Sequence, residues 1–166
     1  MNNLLEFRIW DKITQQMYLS PEEIEHMGSW FDSHLPGAIA KSDNKVVTQY
    51  STIKDKNGKK IYAGDIIRVH TGTSKPYHIV HEGKNLIAYE PIYENRVVIF
   101  YKGSFSLHND FDTSEHEFNS KYRGTSYYGT LASASYDKEI MGNIFQNPEL
   151  LEQIKEHASN QYRIIK

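Results

Sequence analysis

Two groups of residues have the types that metal chemistry needs. His78 and His81 stand three apart, and a run from His108 continues through Asp110, Asp112, Glu115, His116 and Glu117. Imidazole nitrogens and carboxylate oxygens together hold divalent cations. On a strand, residues three apart face opposite sides, so His78 and His81 do not converge on one ion and read as surface histidines. His108, Asp110 and Asp112 would share a face of an extended chain, but their spacing matches no ligand motif, and the run reads as a solvated acidic loop. No metal and no cofactor is expected. Covalent catalysis lacks its parts too. The chain has no Cys, no Gly-x-Ser-x-Gly elbow, no His-Glu-x-x-His and no Gly-rich phosphate loop ahead of a helix. The expectation is therefore no enzyme; a catalyst with an unfamiliar site would have to build it near 108–117.

A different chemistry is open to residues 41–60. Lys41, Lys45, Lys54, Lys56, Lys59 and Lys60 stand there against Asp43 and Asp55, six cations minus two anions for a surplus of four. With Tyr50 and Tyr62 close by, such a patch could bind nucleic acid through phosphates and base stacking. The opposing reading is that Lys beside a hairpin turn is solvated decoration that discourages edge pairing. A net charge of −2 and a pI near 6.4 supply no general field for nucleic acid, so this reading ranks behind protein binding. The stretch 108–130 contains no Ala, Val, Ile, Leu or Met, yet holds Phe111, Phe118, Tyr122, Tyr127 and Tyr128. Aromatic rings in a polar loop offer contact area at low entropic cost. They point to self-association, a homo-oligomer, with a host or phage protein as the other partner of the same kind.

The elements that must position these residues read as mainly β. Leu5–Trp10 alternates apolar and charged residues, a half-buried strand with Leu5, Phe7 and Ile9 on one face. Gln16–Leu19 returns as a second strand. Ser20-Pro21-Glu22-Glu23 has the cap, proline and capping-box glutamate of a short N-terminal helix. Further strands are expected at Val46–Tyr50, Ile66–His70, Tyr77–His81, Leu86–Glu90, Arg96–Tyr101 and Glu139–Ile144. Asn57-Gly58 signals a hairpin turn of type I′, with positive φ at both residues. Gly64-Asp65 punctuates the next strand, Gly64 by backbone freedom and Asp65 by accepting backbone N–H groups. The stretch 108–130 is a long loop or an exposed hairpin. Asn147-Pro148-Glu149 caps and opens a C-terminal helix over about 148–158, with Leu150, Leu151 and Ile154 as its docking stripe. Short strands between Gly and Asn turns argue for a small barrel or strongly bent sheet.

Three blocks then carry a resemblance. Phe7-Arg8-Ile9-Trp10-Asp11 opens the chain. Gln49-Tyr50 precedes Lys54-Asp55-Lys56-Asn57-Gly58-Lys59-Lys60-Ile61-Tyr62-Ala63-Gly64-Asp65-Ile66-Ile67-Arg68-Val69. Ile140-Met141-Gly142-Asn143-Ile144-Phe145-Gln146-Asn147-Pro148-Glu149-Leu150-Leu151 closes it. In this order they resemble the YopX-like proteins of bacteriophages and prophages of Gram-positive bacteria. The resemblance implies an SH3-like β-barrel around 48–107 with added strands and helices, within a single domain spanning the chain, and it implies no activity. The chain departs from the pattern where the family usually has Thr-Gly-Leu and this sequence has Ser51-Thr52-Ile53. No apolar run approaches the roughly 18 residues of a membrane span, and the N-terminal residues are unlike a signal peptide. The host bacterial cytoplasm is the expected location.

Overall fold

The computed structural model describes residues 6–19, 39–41, 44–101, 104–109, 127–134 and 137–164. The expected helix after Ser20 lies outside them, as do Phe111, Phe118 and Tyr122.

The alternating N-terminal segment forms β1 (Phe7–Asp11), which returns as β2 (Gln16–Tyr18). The Asp11 carboxylate fixes the turn by accepting from the amides of Ile13 and Thr14 at 2.8 and 3.0 Å. β1 pairs on its other side with β4 (Lys45–Lys54), which also pairs with β3 (Ile39–Lys41) and, at its far end, with β5 (Lys60–Tyr62). A second antiparallel sheet runs in the order β11 (Tyr127–Thr130), β10 (Ser104–His108), β9 (Pro91–Tyr101), β6 (Asp65–Thr73), β12 (Glu139–Asn143). Between β6 and β9 the chain makes a separate two-stranded ribbon, β7 (Tyr77–His81) and β8 (Lys84–Ala88). A 3₁₀ turn at Leu131–Ser133 follows β11, and helix α1 (Pro148–Ile164) ends the described chain. The architecture is a mainly β, curled half-barrel with one C-terminal helix.

β6 explains why the sheets close on one another. It buries Ile66 on one face and Ile67 and Val69 on the other, while Arg68 between them stays exposed. Ile66 packs with Val97, Ile99, Ile144 and the α1 residues Leu151 and Ile154. Ile67 and Val69 pack with Ile61, Val98, Leu107 and Leu131. Each such aliphatic side chain withdrawn from water contributes about 1.5–3 kcal/mol, so the strand holds both the helix and β5 in place. The turn between β5 and β6 is stitched by main chain as well. The Gly64 amide donates to Val98 O at 2.7 Å, and the Gly64 carbonyl accepts from the Ile144 amide at 2.9 Å.

Four local expectations are corrected. β1 is not half-buried: Arg8 on the supposedly solvated face is buried, as are Ile9 and Trp10, because that face covers the β5–β6 turn. The Asn57-Gly58 turn is not type I′, since only Gly58 has positive φ, at 80°. The Gly58 amide instead bonds Asp55 O at 3.0 Å, and Asp55 Oδ1 accepts from the amides of Asn57 and Lys59, both at 2.9 Å. That carboxylate organises a wider loop of the type I plus left-handed glycine kind. Asn147 turns its side-chain oxygen back to the Asn143 amide at 3.2 Å, serving the end of β12 instead of the helix amides. The helix itself continues to Ile164 because neither Gly nor Pro interrupts it after residue 158.

Candidate interaction surfaces

The Lys-rich hairpin is built by β4 and β5, whose register places Tyr50 opposite Tyr62. Their ring centroids lie 5.5 Å apart. Arg8 covers the Tyr62 ring at 4.8 Å and Lys60 the Tyr50 ring at 5.5 Å. Lys60 is also ion-paired with Glu6, and Lys56 pairs with Glu139 at 2.6 Å. Both rings are therefore engaged within the fold, and burial pushes the Tyr50 and Tyr62 hydroxyls above the ordinary tyrosine value. Of the four lysines between 54 and 60, only Lys54 and Lys59 make no side-chain bond among the described residues. Sequence spacing gave no sign of this neutralisation, since Glu6 and Glu139 arrive from distant strands.

The turn residues have structural partners. Gly64 has φ of 83°, and a Cβ there would stand 3.0 Å from the Phe145 ring. Phe145 in turn stacks on Trp10 at 6.1 Å, joining the first sheet to the end of β12. Asp65 Oδ2 accepts from the Tyr62 amide at 2.8 Å, while Oδ1 lies 2.6 Å from Arg8 Nη2. Asp55 reaches across to the Ile140 amide at 3.3 Å. Burial raises the Asp55 carboxyl, but the amides of Lys59, Ile140 and Asn57 outweigh it and leave its pKa lowered.

The aromatic stretch is placed only at its end. Tyr127 and Tyr128 begin β11, whose backbone pairs Tyr127 with His108 and Thr130 with Ser106. His108 is buried and its pKa is lowered to about 4 by desolvation, so it is a neutral ring in the fold. Among the described residues no three His, Asp or Glu side chains gather to hold a metal. His78 and His81 sit on opposite faces of the ribbon, paired with Ile87 and Lys84.

That ribbon is the surface that sequence reasoning passed over. Its register puts Tyr77, Ile79, Leu86 and Ala88 on one face and His78, Val80, Asn85 and Ile87 on the other. Both faces are open: Val80 is 73% exposed, Ile87 60%, Leu86 42% and Ile79 38%. Tyr89, Ile92 and Tyr93 extend the apolar area to its base. Period-two alternation normally marks one buried face, whereas here no layer among the described residues covers either.

Fold and surfaces together define a small mainly β protein whose Lys–Tyr hairpin is tied into its own framework and whose apolar ribbon is open. The chain belongs to the YopX family: the family described as YopX protein matches residues 6–152. Among solved structures, it is similar to the crystal structure of protein EF1440 from Enterococcus faecalis, with 19% identity, a TM-score of 0.46, and coverage of 89% of this chain and 98% of that one. No curated protein matches the sequence. No helix among the described residues is long and apolar enough to cross a membrane.

Proposed function

We propose that this is a phage or prophage accessory protein that works in the host bacterial cytoplasm by binding, not by catalysis, and that it assembles with a second copy of itself through the β7–β8 ribbon. The supporting observation is the ribbon's exposure of aliphatic side chains on both faces. An isolated two-stranded ribbon is marginal in water, and an open apolar edge is a template for pairing. The outer edge of β8 is self-complementary in charge. An antiparallel pairing of two copies centred on Ile87 sets Lys84 of one against Glu90 of the other, twice, with Leu86 against Ala88. Pro76 interrupts the corresponding edge of β7 by removing an N–H donor, which leaves β8 as the better seam.

Light scattering on the eluting protein tests this. The expected mass is a discrete multiple of 19.3 kDa. Ile87→Lys and Val80→Glu, both at exposed sites, should convert it to the monomer without loss of folded signal. A wild-type monomer at all concentrations overturns self-assembly.

A further inference from the structure

A cleft of about 420 Å³ opens between the β6–β9 pair and α1, lined among others by Arg68, Tyr93, Glu94, Arg96, Gln153 and His157. That volume lies within the range of small-molecule sites. Its charges are arranged unevenly. Arg96, 2% exposed, is paired with Glu94, and Glu94 also lies 3.9 Å from His157 Nε2. Two guanidiniums minus one carboxylate leave one positive charge among the lining side chains.

Arg68 carries that surplus. Its side chain is exposed and makes no hydrogen bond or ion pair among the described residues, although its charge is felt by Glu139 and Tyr93. The acids near it are occupied elsewhere. Glu139, its cross-strand partner, is held by Lys56 at 2.6 Å, and Asp137 accepts the Tyr93 hydroxyl. The Tyr93 ring is steadied edge-on by His70 at 5.6 Å and gives the cleft a flat wall. A planar guanidinium whose donors have no hydrogen-bond partner among the described residues, beside a neutralised buried ion pair and an amide donor, suits an oxyanion held in bidentate fashion.

We propose that this cleft binds a small oxyanion-bearing molecule, a phosphate or carboxylate compound, with Arg68 as its anchor and Gln153 and His157 as flanking donors. The site is separate from the β7–β8 seam and does not depend on self-assembly.

Amide and side-chain NMR shifts on the full chain test it, with inorganic phosphate and acetate as separate probes against sodium chloride at matched ionic strength. At least one probe should move the resonances of Arg68, Tyr93 and Gln153 saturably, with an affinity on the order of 1 mM. Which probe binds tells phosphate from carboxylate. Arg68→Gln, at an exposed position, should keep the spectrum of the folded protein and weaken binding by about tenfold, while Lys75→Gln, exposed and outside the cleft lining, should leave it unchanged. No saturable shift with either probe, or equal binding by Arg68→Gln, overturns the proposal.

Discussion

Arg8 Nη2 lies 2.6 Å from Asp65 Oδ1, and the two side chains are 8% and 1% exposed. The pair locks β1 onto the turn between β5 and β6. Arg8 reaches further, donating from Nε to Thr48 Oγ1 at 3.0 Å and from Nη2 to Ala63 O at 3.3 Å. Burial raises the Asp65 carboxyl, and the charge of Arg8 opposes that rise without overcoming it.

Removing one partner of this pair should cost far more than removing both. Arg8→Met leaves a buried carboxyl with no counter-charge, a change that costs about 3–5 kcal/mol. The double variant Arg8→Met/Asp65→Asn should recover about half of that loss, read from urea midpoints in a double-mutant cycle. The pH dependence has a definite sign. Asp65 holds its proton more tightly in the fold than at its ordinary 3.8, so its contribution is full below that value and declines as pH rises through the folded one. Arg8→Met should extend that decline to higher pH, and Asp65→Asn should remove it.

Thr52 is the second target. It carries φ of 67° in the middle of β4, where the register shifts between Tyr50 and Lys54. A β-branched residue is strained in this conformation. Of Ser51, Thr52 and Ile53, Thr52 alone adopts left-handed backbone. Thr52→Gly should raise stability by about 1 kcal/mol, the left-handed penalty less part of the glycine entropy. A higher thermal midpoint with unchanged spectra is the expected result.

What could be read from sequence follows how local each cause is. The β6 run and the Leu150-Leu151-Ile154 stripe name their own burial, because periodicity within one element decides it. The burial of Arg8 is not legible, since a charge on an alternating strand usually faces water; only Asp65, brought in by the fold, makes its burial tolerable. The ribbon fails in the opposite direction. Ile79, Val80, Leu86 and Ile87 have strand chemistry, but whether a strand is covered depends on a layer that its own residues do not specify. The cleft leaves no mark in the sequence because Arg68, Arg96 and His157 come from three elements and share no spacing.

His108 gives a pH signature of its own. Its folded pKa near 4 lies below the ordinary 6.5, so the fold favours the neutral ring. The unfolded chain takes up the proton first as pH falls, and stability is lost progressively between 6.5 and 4. Allowing for partial solvent screening, the loss attributable to this ring is about 1–2 kcal/mol. His108→Gln, which cannot titrate, should flatten denaturation midpoints over this range relative to the parent, whatever its stability at neutral pH.

The Lys-rich hairpin yields the prediction that separates protein binding from nucleic-acid binding. Lys56 and Lys60 are committed to Glu139 and Glu6, leaving Lys54 and Lys59 as the hairpin cations open to phosphates. Two contacts release too few counterions to hold DNA or RNA at physiological salt. Wild-type protein should therefore pass through a single-stranded DNA column at about 0.15 M salt. Retention that weakens with salt, and that Lys54→Glu/Lys59→Glu abolishes, would give the hairpin a nucleic-acid role and displace the ribbon as the principal binding surface. Retention untouched by the double variant would place any nucleic-acid contact elsewhere on the chain. Because neither substitution breaks an ion pair seen in the fold, the outcome reads binding and not stability.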